Sequence, residues 1–449
     1  MSTQSPAGRA PPSASFIHRD STLARMARPL ARFLRVEAAG GIVLVVATVV
    51  ALAWANSPWS AGYQTLWETP VQLTVGSFRF DEDLRHVVND ALMAIFFFVV
   101  GLEIKRELVT GELRDRRQVV LPAFAALGGM AVPALIFAAF TAGGDGRDGW
   151  GIPMATDIAF ALGVMALLGP RVPAALKIFL LTLAIADDLG AIALIAIFYA
   201  DELQPRYLAV AVGLAVMVFA LRRLRVTYPP VYVIGGIALW VVVFESGVHA
   251  TIAGVVMGVL TPARPLQSGP EAETVVDILE HRELSVEEVR ATAVAVKESV
   301  SVCDRLIELL HPWTSYLVVP IFALTNAGIA LDEDPLADTS VFLGVLLGLV
   351  VGKALGITAF AWLATRLRVA RLPDDVDWRQ LGGAATLAGI GFTVSLFITG
   401  LAYDDGPLAG SAKVGILVAS AIAAGLGSLL LLTARRPPGA TTPNEHTST

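Results

Sequence analysis

The stretch LLTLAIADDLGAIALI at residues 180–195 decides the fold, because two adjacent carboxylates, Asp187 and Asp188, interrupt an otherwise apolar run. One acid at the centre of a membrane helix opposes insertion by about 2.5–3.5 kcal/mol, so the two together oppose it by about 5–7 kcal/mol before any pairing. Such groups persist where they line a wet cavity or bind a cation. We therefore expect both to be functional, against the alternative of a purely structural buried pair. Neighbours on a helix point about 100° apart, so one carboxylate can face a cavity while the other meets a partner.

The composition around this stretch is that of an all-α polytopic membrane protein. The chain has 449 residues, 55% of them hydrophobic, and a formal net charge of −6. A soluble domain of this length would not be so apolar. The single cysteine, Cys303, excludes an internal disulfide. We expect no cofactor and no nucleic-acid partner, and we expect contact with membrane lipid.

Apolar runs long enough to be membrane spans occur twelve times. They fall at about 33–55, 85–103, 118–140, 151–169, 175–200, 206–222, 229–245, 248–262, 312–330, 340–365, 380–402 and 411–434. Only Ser246 and Gly247 separate the seventh and eighth runs, whose joint length indicates two helices rather than one.

The distribution of basic residues supports twelve spans with both termini in the cytoplasm. With that topology, 27 of the 33 lysines and arginines are cytoplasmic, 5 are external, and Lys353 is left inside a span. The sequence then divides into a basic cytoplasmic tail (1–32), a twelve-span domain (33–434) and a disordered cytoplasmic tail (435–449).

Two loops have features of their own. Residues 71–80 alternate around Gly76-Ser77 in the manner of a small β-hairpin, which could pair with its copy in a homodimer or act as a local lid. The cytoplasmic loop at about 263–311 is long and acidic, and the spacing of Ser285 and Glu288 fits a helix capping box.

Two apolar runs contain signals of interrupted helices. In GIPMATDIAF (151–160) a proline precedes Thr156 and Asp157, whose oxygens could help to coordinate a cation where the helix breaks. In GGAATLAGIGFT (382–393) closely spaced glycines break the eleventh run. Their places in the two halves indicate inverted-topology repeats with the interrupted helices crossing near the midplane. The alternatives are a helix that starts at Pro153 and glycines that only allow close helix packing.

Three further residues are candidates on position. Lys353 lies in mid-span and needs an anion, for which the aspartate pair is the obvious choice, although it could simply balance a helix end. Glu103, at the inner end of the second run, could mark a cytoplasmic ion entrance or be a solvated acid. His249 titrates near neutral pH but could be a plain interfacial histidine.

The chain resembles the NhaA family of sodium/proton antiporters. The resemblance runs over about residues 33–434, in the order GLEIKREL (101–108), ATDIAFALG (155–163), ADDLGA (186–191), SGVHA (246–250), HPW (311–313), NAG (326–328), GK (352–353) and GIGFT (389–393). Where the family often has an acid and then a histidine before HPW, this chain has Ile307-Glu308-Leu309, so the acid is shifted by one.

The resemblance implies a secondary transporter in a bacterial cell (inner) membrane rather than an enzyme. It implies electrogenic exchange of Na⁺ or Li⁺ for more than one H⁺, activated at alkaline pH, for sodium and pH homeostasis. It places the ion at Asp188 and Asp187, with support from Thr156 and Asp157, and makes Lys353 the partner of Asp187. It also implies pH-sensing roles for Glu103, His249 and Glu308.

Three alternatives compete with an antiporter. A sodium-coupled solute symporter would need a large organic-substrate cavity. An intramembrane aspartyl protease normally draws its two acids from different helices, whereas Asp187 and Asp188 are adjacent. A passive channel would have no need of paired titrating groups.

Overall fold

The fold is known from a computed structural model, which describes residues 22–75, 78–111, 116–200, 203–224, 229–264, 300–330, 337–373, 375–404 and 406–434. Within these ranges the helices are α1 Thr22–Ala55, α2 Ser60–Trp67, α3 Leu84–Val109, α4 Arg116–Thr141, α5 Ile158–Leu167, α6 Ala174–Phe198, α7 Pro205–Arg223, α8 Pro229–Phe244, α9 Thr251–Leu260, α10 Val302–Asn326, α11 Thr339–Arg366, α12 Trp378–Leu387, α13 Phe392–Ala402 and α14 Pro407–Thr433. Two 3₁₀ segments, Asp145–Met154 and Gly169–Arg171, precede α5 and α6 respectively.

The helices agree with an all-α membrane protein. In the described part of the chain, seven are long and apolar enough to cross a membrane, and up to 10 spans result if each bent pair is one span. The seven are α3, α4, α6, α7, α10, α11 and α14. The two remaining apolar runs coincide with the shorter helices α8 and α9, so the seventh and eighth runs are indeed separate helices. The total of twelve spans stays a prediction.

Both predicted interruptions are breaks in the structure. The 3₁₀ segment Asp145–Met154 meets α5 at a bend of 44°, and α12 meets α13 at a bend of 46°. Pro153 is the second-last residue of the first segment, and Asp157 caps the start of α5. In the second break, a Cβ on Gly389 would collide with the carbonyl oxygen of Leu349, so this close approach requires glycine.

Three long helices contain π turns, which often occur at functional sites. These turns are Val88–Leu92 in α3, Thr314–Val318 in α10 and Gly348–Gly352 in α11. The turn in α11 directly precedes Lys353. A close crossing of α4 and α11 at Gly128 and Gly356 holds the lysine helix against its neighbour, because a Cβ on either glycine would meet the backbone of the other.

The predicted hairpin is present. Strands β1 Pro70–Val75 and β2 Phe78–Asp83 are antiparallel, with Val75 opposite Phe78. The two residues at its tip, 76 and 77, lie outside the described residues, and its role in a dimer stays a prediction.

Two helices begin before the apolar runs predicted for them. Helix α10 begins at Val302, ten residues before the expected start at 312, so the end of the predicted 263–311 loop is helical. The hydroxyl of Ser301 accepts a hydrogen bond from the Asp304 backbone N–H at 3.0 Å, and this cap begins the helix before its apolar run starts. Likewise α1 begins at Thr22, within the predicted 1–32 tail. The predicted capping box at Ser285 and most of both tails lie outside the described residues.

Candidate functional site

The two carboxylates of α6 have different surroundings, as expected from their neighbouring positions. The side chains of Asp187 and Asp188 are both buried, with 1% and 7% of each residue exposed. Asp187 points to α11 and the first break, whereas Asp188 lines a cavity. The pair therefore divides into one carboxylate with a fixed cationic partner and one that faces open space.

Asp187 forms an ion pair with Lys353. The ammonium of Lys353, which is 0% exposed, donates a hydrogen bond to Asp187 Oδ2. Two charges buried this deeply are stable only when each has a partner. The other carboxylate oxygen, Asp187 Oδ1, is buried and accepts no hydrogen bond from the described residues.

Thr156 lies in the first break and connects the ion pair to the second break. Its hydroxyl oxygen lies 2.9 Å from Lys353 Nζ, 2.7 Å from Asp187 Oδ2 and 2.8 Å from the Ala388 carbonyl oxygen. The lysine donates to this oxygen. A hydroxyl has one proton, so Thr156 donates either to Asp187 or to Ala388 at any one time.

Asp157 lies at the contact between the two breaks, here named the crossing. Its Oδ1 accepts a hydrogen bond from Phe160 N at 2.9 Å, which caps α5. Its Oδ2 accepts from Thr393 N at 3.1 Å and from the Thr393 hydroxyl at 2.6 Å, so the same carboxylate also lies at the start of α13. In return, Asp157 N donates to the Ile390 carbonyl at 2.7 Å. A negative charge is favourable at helix N-termini, and this one serves two of them.

A cavity of about 60 Å³ lies beside the crossing. That volume is enough for a few water molecules. Its polar lining includes Glu103, Thr156, Asp157, Asp188, His311, Thr314, Ser315 and Thr393. An oxygen-rich cavity with a carboxylate on its wall suits a small hard cation or a proton.

The structure brings most of the predicted residues together but leaves two apart. Asp187, Lys353 and Thr156 share one hydrogen-bond network, and Asp188, Asp157 and Glu103 line the adjoining cavity together with Thr156. His249 precedes α9, and Glu308 is exposed on α10. Neither lines the cavity.

Two residues of the site were not among the candidates predicted from sequence. Thr393 and His311 appeared only as members of the motifs GIGFT and HPW. Thr393 holds Asp157, and His311 lines the cavity on α10. A hydroxyl directly after a glycine-rich break was the available signal for Thr393. The shift of the acid beside HPW drew attention to Glu308 instead of to His311.

The chain is similar to known proteins over nearly all of its length. The model of the family described as Na⁺/H⁺ antiporter 1 matches residues 31–431. The chain is 49% identical over 420 residues to the Na⁺/H⁺ antiporter NhaA of Rhodopirellula baltica, covering 91% of this chain and 94% of that protein. It is 46% identical over 467 residues to the Na⁺/H⁺ antiporter NhaA 2 of Myxococcus xanthus, covering 99% and 98%. It is 48% identical over 417 residues to the Na⁺/H⁺ antiporter NhaA 3 of Frankia alni, covering 91% and 89%.

The match extends over nearly all of the described helices, including every residue of the network around Asp187. Combined with the apolar helices, it identifies a multi-pass membrane protein. This chain therefore belongs to the Na⁺/H⁺ antiporter 1 family.

Proposed function

We propose that this protein exports Na⁺ or Li⁺ in exchange for more than one H⁺. One observation carries the proposal: of two adjacent buried carboxylates, Asp187 is paired with Lys353 while Asp188 lines a cavity. Asp188 is then the principal ligand of the transported ion, and Asp187 contributes when its own pairing permits. The names of the relatives, all Na⁺/H⁺ antiporters, support the same reaction.

Exchange follows from competition for one negative charge. A proton and a sodium ion each neutralise Asp188, and each excludes the other. A site that opens alternately to the two sides of the membrane then couples inward proton movement to outward sodium movement. Thr156 and Asp157 support the site by fixing the geometry of the first break.

A stoichiometry above one H⁺ per Na⁺ needs a second group that exchanges protons. The Asp187–Lys353 pair includes the residue that directly precedes Asp188 in the chain, and it would open when the ion binds. The cycle would then move net charge and use the membrane potential, at about 2.3 kcal/mol per charge per 100 mV.

Activation at alkaline pH follows from the same competition, because protons occupy the site at low pH. Glu103 lines the cavity and would act at its cytoplasmic entrance. Roles for His249 and Glu308 in pH sensing would have to be indirect, since neither side chain lines that cavity.

The proposal includes a membrane arrangement. Twelve spans, cytoplasmic termini, inverted repeats and a location in a bacterial inner membrane are consistent with the two bends of 44° and 46° and with the distribution of basic residues. Surrounding lipid would cover the exposed apolar side chains. The hairpin of β1 and β2 offers strand edges for a homodimer.

The competing functions have less support. A cavity of about 60 Å³ is small for an organic solute, because ligand pockets usually measure about 300–1,000 Å³. The relatives bear the names of transporters and not of enzymes.

The decisive experiment is sodium-induced proton movement in everted membrane vesicles, followed by dequenching of a pH-gradient dye. We expect Na⁺ and Li⁺ to dequench and K⁺ not to, with activity rising at alkaline pH. Asp188→Asn should abolish the signal. Electrogenicity is tested in proteoliposomes, where an imposed membrane potential alone should drive Na⁺ movement.

Asp404→Asn is a matched control, because Asp404 is exposed and lies outside the helices. It should exchange ions as the wild type does. Wild-type-like exchange by Asp188→Asn would overturn the site assignment, and sodium movement without proton movement would indicate a channel.

A further inference from the structure

Two of the three residues that helix α1 contributes to the cavity lining have no side chain. Its contributions to the lining are Gly40, Gly41 and Leu44. Four neighbouring residues, Ile42, Val45, Val46 and Val49, are 42–58% exposed, as expected for side chains that face lipid. Leu44 and Thr48, by contrast, are 1% and 8% exposed. Gly41 is partly exposed, shares a helix face with these two residues at spacings of three and seven, and lines the cavity, so a side chain there would point toward it.

The two glycines have different surroundings. A Cβ on Gly40 would lie 3.0 Å from Ser315 Cβ and 3.3 Å from the Ser315 carbonyl oxygen, so Gly40 allows α1 to pack against the π turn of α10. A Cβ on Gly41 would meet no atom within 4 Å. Gly40 is therefore needed for packing, and Gly41 leaves space unfilled.

The space beside Gly41 is part of the cavity that Asp188 lines. The opposite parts of the lining come from α3, α5, α6, α10 and α13 and include Glu103 and Asp157. In a cavity of about 60 Å³, one added side chain would occupy a large share of the room.

We propose that α1 forms one wall of the aqueous route to Asp188 and that the absence of a side chain at Gly41 sets the width of that route. This inference rests on the proposed exchange function. Gly41 thereby limits the rate of ion passage without itself binding the ion.

A series of side chains of increasing size tests the proposal. The exchange rate of Gly41→Ala should lie within about twofold of the wild-type rate. Gly41→Val should be slower, and Gly41→Phe should be slower by at least about tenfold, because ion passage depends on the diameter of the route. The same series at Gly213, which is exposed on α7 with no atom within 4 Å of its built Cβ, should leave the rate unchanged. Thermal unfolding in detergent checks that the Gly41 variants fold. Gly40→Ala should lower the unfolding temperature, since its methyl group meets Ser315.

Thiol labelling tests the route without relying on transport. The one cysteine is first replaced by Cys303→Ser, which keeps the hydrogen-bond donor to the Leu102 carbonyl. Gly41→Cys in that background should react with a charged, membrane-impermeant methanethiosulfonate applied to both membrane faces. High Na⁺ should slow the reaction.

Labelling only by a lipid-soluble maleimide, or wild-type exchange by Gly41→Phe, would overturn the inference. The labelling result is independent of exchange. Failure of the wild type to exchange Na⁺ for H⁺ would therefore count against the proposed function, while labelling still reports whether Gly41 faces water.

Discussion

The two broken helix pairs have nearly the same shape and opposite chemistry. Their bends are 44° and 46°. The first break carries Thr156 and Asp157, a hydroxyl and a charge. The second, at residues 388–391, has no polar side chain and offers backbone groups instead, namely the carbonyls of Ala388 and Ile390.

The difference shows why neither break would be stable alone. A buried charge needs donors, and an unwound backbone segment inside a membrane needs partners for its own polar groups. The carboxylate of Asp157 receives the N–H and hydroxyl of Thr393, and its backbone N–H returns a bond to Ile390. Each break thus satisfies the other.

The two broken helix pairs also differ in how their first segments, the 3₁₀ segment and α12, are fixed. The hydroxyl of Tyr199 donates to the Asp148 carbonyl at 2.7 Å, and that of Tyr403 donates to the Gly146 carbonyl, so two phenols fix the 3₁₀ segment. Burial raises the pKa of the Tyr403 phenol above its ordinary value, so it remains a donor at alkaline pH. Helix α12 is instead fixed by its own capping box, Asp377 with Gln380.

The largest effect should come from removing the cation that pairs with Asp187 and donates to Thr156 in the first break. Lys353→Ala leaves Asp187 buried without its partner and should destabilise the protein by about 3–5 kcal/mol. Activation of exchange should move to a more alkaline pH, because protons are held more tightly where a fixed positive charge is missing. Chemical unfolding in detergent and the pH profile in vesicles measure the two effects. Adding Asp187→Asn should recover much of the stability but not the exchange, and an unchanged pH profile for Lys353→Ala would argue against coupling.

Asp157→Asn makes the first break more like the second by removing its charge. The amide keeps one acceptor oxygen, so either Phe160 or Thr393 loses its partner, and stability should fall by about 1–3 kcal/mol. Exchange should fall more than stability predicts, since the crossing sets the position of Thr156. Thermal inactivation and exchange rates measured on the same preparation separate these effects. Full exchange in a destabilised Asp157→Asn protein would show that Asp157 is structural only.

Thr393→Val tests one side chain across the crossing. It is nearly isosteric and removes only the hydroxyl bond to Asp157, which should reduce stability by about 1.5 kcal/mol and shift the pH profile of exchange. Thr393→Ser should restore both. On the same helix, the hydroxyl of Thr399 bonds to the carbonyl of Ser395, so Thr399→Val is a matched control without a pH shift. Equal pH profiles for the two valine variants would remove Thr393 from the site.

The smallest effect should come from the end of the second pair that lies far from the crossing. Asp377→Ala removes the cap of α12 and should reduce stability by about 1 kcal/mol. The apparent sodium affinity should not change. A changed affinity would mean that the start of α12 communicates with the break.

Much of the fold was predictable because its signals are local. Apolar runs, Pro153 and the glycines near 389 identified the helices and both interruptions, and the alternation in 71–80 identified the hairpin. Helix α10 begins before its apolar run, because its cap at Ser301 precedes that run. Polar residues between cap and run were interpreted as loop.

The sequence predicted most of the residues of the site but few of the hydrogen bonds between them. An acid pair and a lysine inside spans are conspicuous in an apolar chain, and the family resemblance assigned Lys353 to Asp187. A threonine is not conspicuous, so Thr393 was missed although it holds Asp157 through two hydrogen bonds. The lining role of Gly41 could not be seen either, because a glycine pair in a membrane helix has no local signature of a cavity.

The sequence by itself determined the membrane class, the helices, their two breaks and the charged residues, because run length, helix breakers and charge act over a few neighbouring residues. Only the tertiary structure decided which charge meets which partner. Thr156 and Asp187 are separated by 31 residues, Asp187 and Lys353 by 166, and Asp157 and Thr393 by 236. Contacts over such separations depend on how whole helices cross. That crossing assigns Asp187 to Lys353 and leaves Asp188 on the wall of the cavity.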